Sequence, residues 1–225
     1  MSPAPADPSA AGYTAMVLGA TGNVGGRIVQ LLVRSPRCAR VIVVTRRPVA
    51  EFAAPLADPK VQQVVVQMDR LESDLTARVS RVDIALAAFG VGKGSARMAD
   101  DEVRRIEIAY PTAFATAARA AGARVMALMT SVGADPRSWT KYLRNLGEKE
   151  RNAEALRFDV LGLYRPGVIL GNSNTPPSLH WIMPLVHWAM PSRYRSIHKH
   201  DLAWRSRNRP SSRCRREGPR ALPSS

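Results

Sequence analysis

The stretch that decides the fold is AMVLGATGNVGG, residues 15–26, where a short apolar run meets Gly19, Gly22 and Gly25. Apolar residues then recur at helical spacing up to Leu32, so the stretch predicts a strand, a tight turn and a helix. In such a turn the first glycine permits the bend, the second lets backbone approach a pyrophosphate, and the third packs helix on strand. The free N–H groups at the helix start suit phosphates, so the pattern favours a dinucleotide site over a plain loop.

Length and composition limit the class of protein. With 225 residues and 45% hydrophobic content, the chain can bury the core of one α/β domain, and no apolar run approaches a membrane span. Residues 1–12 are rich in Ala and Pro without the features of a secretory signal, which predicts a disordered lead-in. Cys38 and Cys214 lie far apart and form no metal or redox motif, so we expect a reducing, cytoplasmic setting.

The net charge of +15 is unevenly distributed along the chain. Residues 193–225 carry 10 Lys and Arg against 2 Asp and Glu, which accounts for about half of the excess. The body of the chain is therefore only moderately basic, and a nucleic-acid partner is indicated by the tail alone.

Beyond the glycine turn, apolar strand patterns alternate with helical ones. This order predicts a Rossmann-type, doubly wound parallel sheet in one domain spanning residues 13–203. The patterns place strands at 41–45, 61–67, 82–89, 124–129 and 160–164, and helices at 100–121 and 139–157.

The second strand ends in Arg46-Arg47-Pro48, about twenty residues after Gly25. An acidic residue at this point would bind the ribose 2′-hydroxyl of NAD, whereas arginine suits a 2′-phosphate. We therefore expect NADP rather than NAD. The alternative is a solvated basic turn.

Other polar and small residues follow the later strands. Asp69 could accept a hydrogen bond from an adenine amino group or cap the next helix. Phe89 and Gly90 are expected beside the adenosine half of the cofactor, and Ser131 and Arg165 end the following strands. Because ligands of open parallel sheets bind beyond the carboxyl ends of the strands, these positions predict one shared site.

Five blocks in this order, LGATGNVG (18–25), TRRP (45–48), SVGAD (131–135), Tyr142 and RPG (165–167), resemble the atypical short-chain dehydrogenases. The similarity is greatest to the NmrA-like branch that includes the Tat-interacting oxidoreductase-like proteins. The resemblance implies that NADP(H) is bound through Thr21, Gly22, Asn23, Val24, Arg46, Arg47, Phe89 and Gly90. It further implies that Ser131 and Tyr142 are the catalytic serine and tyrosine, and that the segment after Arg165 helps to close the nicotinamide side.

The chain departs from the family at one informative position. The family has a lysine four residues after the tyrosine, where its ammonium stabilises the phenolate, but here that residue is Leu146. Lys149 lies on nearly the same helix face as Tyr142 but about one turn beyond Leu146, and Lys141 faces elsewhere. Loss of an acid–base partner costs ~10²–10⁴ in rate, so we expect weak or absent turnover. Without the lysine, Tyr142 could also be a packing residue.

The last third of the chain has less definite patterns. Residues 176–190 are rich in Trp and Met and predict a cover over a small-molecule pocket or a partner contact. His180 and His187 have Pro184 between them and no third ligand nearby, so we expect no metal site. Residues 204–225 are Arg, Ser and Pro rich and predicted to be disordered, either as a basic arm or as an out-of-frame read, which the abrupt change favours.

Two functional hypotheses remain. The first is an NADP(H)-dependent oxidoreductase acting on a small carbonyl or alcohol, which retention of Ser131 and Tyr142 favours. The second is a non-catalytic NADP(H)-binding redox sensor or interaction protein, which Leu146 favours. A nucleic-acid binder is the weakest alternative, no membrane association is expected, and the oligomeric state is not indicated.

Overall fold

The computed structural model describes residues 12–52, 58–91 and 98–166, together with the backbone of two short strands. Residues 1–11 of the predicted lead-in, His180 and His187, and the predicted tail at 204–225 lie outside these ranges. So do most of residues 171–203, which we expect to form the substrate side of the domain. The predictions made for them are therefore not addressed by the structure.

Six parallel strands form one sheet in the order β3-β2-β1-β4-β5-β6. They are β1 (Tyr13–Leu18), β2 (Cys38–Thr45), β3 (Val61–Val65), β4 (Ile84–Ala87), β5 (Val125–Met129) and β6 (Val160–Tyr164). The strand order reverses direction at β1 and β4, which pair in parallel from Ala15↔Ile84 to Leu18↔Ala87. Such a reversal opens a crevice at the carboxyl ends of the two strands. The predicted Rossmann-type sheet is thus confirmed. A separate parallel pair joins β7 (Ile169–Leu170) and β8 (Ile197–His198).

Helices occupy the connections between the strands. They are α1 (Asn23–Val33), α2 (Leu71–Arg78), α3 (Asp100–Arg104), α4 (Tyr110–Ala120) and α5 (Lys141–Ala155). The single helix predicted over 100–121 is interrupted at Arg105–Ala109 by a short stretch of π-helix, which we call the π turn. Pro111 follows it and has no N–H to donate to the carbonyl of Glu107, so an uninterrupted α-helical register cannot be completed here.

Both faces of the sheet are buried. Met16 and Leu18 of β1 belong to one apolar cluster, with residues of α2 and α4, whereas Ala15 and Val17 belong to the other, with residues of α1. Burial on both faces explains why the strands are continuous apolar runs instead of alternating patterns. None of the helices in the described ranges is both long and apolar enough to cross a bilayer.

Candidate cofactor and substrate site

The glycine turn after β1 is shaped by close backbone contacts. Gly19 has a φ of +87°, and a Cβ there would lie 2.4 Å from the Ala88 carbonyl oxygen. A Cβ on Gly25 would lie 2.0 Å from the carbonyl oxygen of Gly19, so this position also requires glycine. Gly22 is the N-cap of α1, and no side chain caps the helix. The first N–H groups of α1 are consequently not blocked by a side chain, as a phosphate-binding turn requires.

A cleft of about 850 Å³ opens beside this turn. Its lining includes Gly19, Thr21, Arg46, Arg47, Glu51, Met68, Phe89, Gly90, Glu102, Arg105 and Tyr110. The structure therefore brings together the glycine turn, the basic end of β2 and the end of β4, which are remote in sequence. We call this the cofactor cleft.

The predicted cofactor residues differ in what they offer to the cleft. Asn23 is exposed at the start of α1, whereas the side chain of Val24 is 8% exposed and packs into the apolar cluster of that face. Val24 can therefore contribute only its backbone. Arg46 and Arg47 are exposed, so both guanidinium groups can reach a ligand in the cleft.

Asp69 is engaged with an aromatic residue that the sequence analysis did not identify. The Tyr110 hydroxyl donates a 2.8 Å hydrogen bond to Asp69 Oδ1. Burial raises the pKa of Tyr110, and Asp69 adds to this effect. The rings of Tyr110 and Phe89 are 6.5 Å apart and form one wall of the cleft. Binding of an adenine amino group by Asp69 stays a prediction.

Arg105 and Glu102 are further cleft residues that the sequence did not reveal. Glu102 lies in α3 and Arg105 begins the π turn. In the sequence, this whole segment looks like an ordinary amphipathic helix. No motif marks them, because their approach to the cleft depends on how this helix packs across the sheet.

The predicted catalytic pair lies close together. Ser131 lies close enough to Tyr142 to affect the pKa of its hydroxyl, and Ser131 Oγ lies 3.5 Å from the Pro166 carbonyl oxygen. The Tyr142 side chain is 47% exposed, yet its hydroxyl is desolvated by surrounding protein atoms. This desolvation raises the pKa of Tyr142; the negative charge of Glu107 raises it further, and the neighbouring Ser131 side chain lowers it.

The structure also shows what replaces the family lysine. Leu146 is 1% exposed and presents no charge to Tyr142. Lys149, the nearest candidate from sequence, is buried and donates a 3.0 Å hydrogen bond to Glu107 Oε2. The other oxygen of Glu107 accepts a 2.9 Å hydrogen bond from the Val91 N–H. Lys149 therefore neutralises a buried carboxylate instead of stabilising a phenolate.

Arg165 is paired with a glutamate. Its Nε donates a 2.8 Å hydrogen bond to Glu150 Oε1, and its Nη2 contacts the second oxygen of the same carboxylate. Thr130 Oγ1 donates to Glu150 Oε1 at 2.6 Å. This network ties the ends of β5 and β6 to α5, and Arg165 is not among the residues lining the cofactor cleft. Its predicted contact with the cofactor remains a prediction.

The family follows from comparison with known proteins. The NAD(P)H-binding family matches residues 19–159, and the chain belongs to it. Its relatives include mitochondrial protein fmp52 of Aspergillus clavatus, 37% identical over 69% of this chain and 66% of that protein. Protein FMP52, mitochondrial, of Lodderomyces elongisporus is 30% identical over 71% of this chain and 68% of its own length. The chain thus spans about two-thirds of the length of these relatives.

Solved structures agree with the fold. BdcA in complex with NADPH superposes with a TM-score of 0.62 at 18% identity, covering 88% of each chain. A short-chain dehydrogenase/reductase family oxidoreductase from Burkholderia thailandensis gives 0.63 at 20% identity, covering 87% of this chain and 84% of its own. The resemblance stated from sequence is confirmed at the level of the fold, and the chain has the fold of an NAD(P)H-binding domain.

The expected cytoplasmic location is wrong. The relatives from Aspergillus clavatus, Aspergillus niger and Lodderomyces elongisporus are named as mitochondrial proteins. The expectation depended on a count of two cysteines. Both the cytoplasm and mitochondria contain reducing environments, so cysteine usage could not distinguish between these two locations.

Among the residues that the structure describes, no group of three or more His, Cys, Asp or Glu could hold a metal ion. Near Tyr142, Lys149 is paired with Glu107 and Lys141 with Asp100.

Proposed function

We propose that the chain binds NADP(H) in the cofactor cleft and reduces a small carbonyl compound slowly. The proposal depends on one observation above all, the convergence of the glycine turn, Arg46 and Arg47 on a cleft of about 850 Å³. In this fold the nicotinamide half of a dinucleotide extends from the switch point towards the later strands, where Ser131 and Tyr142 lie.

Preference for the phosphorylated cofactor is supported by charge. The described lining of the cleft contains three guanidinium groups, on Arg46, Arg47 and Arg105, against the carboxylates of Glu51 and Glu102. Guanidinium groups bind phosphate through paired, charge-assisted hydrogen bonds. A ribose 2′-phosphate at the end of β2 would meet Arg46 and Arg47, where an NAD site has a carboxylate.

When bound, NADPH supplies the hydride for the carbonyl carbon. Tyr142 donates a proton to the carbonyl oxygen, and the Ser131 hydroxyl hydrogen-bonds that oxygen. Because burial of its hydroxyl raises the pKa of Tyr142, the residue stays protonated at neutral pH. This state suits the reductive direction. The barrier remains high, since Leu146 presents no charge to the phenolate as it forms and Lys149 is paired with Glu107.

The second candidate is a non-catalytic NADP(H)-binding protein that senses the redox state of the cofactor. Complete burial of Leu146 and the engagement of Lys149 with Glu107 favour it. Both features weaken Tyr142 as a proton donor, and neither residue lines the cofactor cleft. The two candidates therefore differ in turnover and share cofactor binding.

Turnover across a panel of small aldehydes and ketones distinguishes them. NADPH oxidation would be followed in the unmodified chain, in Tyr142→Phe and in Ser131→Ala, with NADPH affinity measured on the same samples. The reductase predicts slow oxidation that falls about 100-fold in Tyr142→Phe while affinity is retained. Retained affinity with no tyrosine-dependent turnover would favour the sensor.

A further inference from the structure

A second cavity adjoins the cofactor cleft on the side of Tyr142. It has a volume of about 410 Å³, and Met98 lines both it and the cleft. The residues around it come from α3, α5 and Met98, which precedes α3. They are Met98, Asp100, Val103, Arg104, Lys141, Tyr142, Arg144 and Asn145. The size suits a small molecule, and the position beside Tyr142 suits the substrate of the proposed reaction.

Two of the three cations around this cavity are paired with carboxylates. Arg104 Nη2 donates to both oxygens of Glu148, at 3.0 and 3.1 Å. Lys141 Nζ lies 2.5 Å from Asp100 Oδ2. Because a carboxylate offsets each of these charges, we do not expect either side chain to bind an anionic ligand strongly.

Arg144 is different. Its Nη1 donates to the carbonyl oxygens of Ser138 and Trp139, at 2.9 and 2.8 Å, which orients the guanidinium but leaves its charge uncompensated. Within the described part of the chain, it forms no ion pair, and its Nε and Nη2 atoms make no hydrogen bond. That edge of a guanidinium carries two nearly parallel N–H groups, which match the two oxygens of a carboxylate.

We infer that the substrate is a short oxo-carboxylate and that Arg144 binds its carboxylate in this cavity. The inference rests on the proposed function, because it assigns the substrate class of the same site. Tyr142 and Arg144 both line the cavity, so a small molecule that fills it can contact both residues.

The reaction is balanced for such a substrate. The carbonyl carbon accepts a hydride from NADPH and its oxygen accepts a proton from Tyr142. The C=O π bond breaks, C–H and O–H bonds form, and NADPH becomes NADP⁺. The carboxylate takes no part in the electron transfer, so Arg144 acts through binding and orientation alone.

Binding of matched acids and amides tests the inference without requiring turnover. Affinities of 2-oxopentanoate and 4-oxopentanoate would be compared by calorimetry with those of the corresponding amides, using the full chain with and without NADPH. We expect at least one acid to bind more than about tenfold tighter than its amide. Equal affinity for acids and amides, or no acid binding, would overturn the inference.

Variants of α5 locate the effect. Arg144→Gln is expected to weaken acid binding about 10- to 100-fold with little change for the amide, and Arg144→Lys to give an intermediate loss. Arg151→Gln is the matched control, because Arg151 is exposed on the same helix and does not line the cavity. An equal loss in Arg151→Gln, or an unchanged acid-to-amide ratio in Arg144→Gln, would refute the assignment.

The ratio of acid to amide affinity also separates charge recognition from loss of structure, since a loosened 138–139 segment would weaken both ligands alike. An NADPH titration of each sample separates the two proposals. NADPH binding without acid preference overturns this inference alone. Acid preference without NADPH binding overturns the proposed cofactor and hence the reaction, while the anion site stands.

Discussion

Removal of one partner of the buried Lys149–Glu107 pair should strongly destabilise the chain. The two side chains are 2% and 4% exposed, and the Nζ–Oε2 distance is 3.0 Å. Lys149→Met keeps most of the apolar volume but leaves the Glu107 carboxylate buried without its cation. Removing one partner of a buried pair costs about 3–5 kcal/mol. Because the Val91 N–H still donates to Glu107, we expect the lower end of this range, about 3 kcal/mol.

Urea unfolding followed by circular dichroism measures this loss. A change of about 3 kcal/mol shifts the midpoint by roughly 1–2 M and removes a large part of the ~5–15 kcal/mol that stabilises a typical domain. The double variant Lys149→Met/Glu107→Gln should recover most of the loss, since no charge is then left buried.

Lys141→Met is the matched control for this experiment. Its pair with Asp100 is 71% and 68% exposed, so its removal should cost less than about 1 kcal/mol. Equal losses in the Lys149 and Lys141 variants would refute the reasoning, because they would mean that burial of the carboxylate has no energetic consequence.

Three further predictions concern the site. Gly25→Ala should destabilise the chain by about 1–3 kcal/mol and abolish NADPH binding, because its Cβ would lie 2.0 Å from the Gly19 carbonyl oxygen. Gly26→Ala, whose Cβ would have its nearest contact at 3.2 Å, should have a much smaller effect on both. Similar losses in the two variants would contradict the role given to Gly25. Alcohol oxidation needs the Tyr142 phenolate, and burial raises the pKa of Tyr142. The rate of oxidation should therefore rise about tenfold per pH unit from pH 7 to 9. A plateau of the rate in that range would contradict a raised pKa. Leu146→Lys should increase carbonyl reduction at least about tenfold and lower stability in urea, whereas Leu146→Met should do neither; unchanged turnover in the lysine variant would contradict the role given to this position.

Much of the fold could be predicted from the sequence, because the patterns that carry it are local. The apolar run before Gly19 indicated β1, and the glycine spacing indicated the turn and α1. Continuous β-branched runs indicated strands buried on both faces. Each signal involves adjacent residues and survives without knowledge of the tertiary contacts.

The π turn could not be predicted in the same way. Apolar periodicity continues through residues 100–121, so the segment resembles one helix. Pro111 was a visible signal of a break, but it does not tell which residues change register. Glu107 is buried because Lys149 and the Val91 N–H satisfy its two oxygens, and both partners are distant in sequence.

For the site, the sequence indicated the residues but not their pairing. Ser131 and Tyr142 were identified through the resemblance, and the structure brings them together. The sequence places Lys149 on nearly the same helix face as Tyr142, but its hydrogen bond to Glu107 depends on the packing of α5 against the π turn. Arg144 gave no signal, because its unpaired charge is visible only once the partners of Arg104 and Lys141 are known.

The most direct test of the account is a titration of intrinsic tryptophan fluorescence with NADPH and with NADH. The unmodified chain is compared with Arg46→Ala/Arg47→Ala, and Arg151→Gln serves as the control for loss of a surface charge. We predict saturable NADPH binding at least about tenfold tighter than NADH binding, with the preference lost in the double variant and kept in Arg151→Gln. Equal affinity for the two cofactors, or a preference that survives removal of both arginines, would contradict the account.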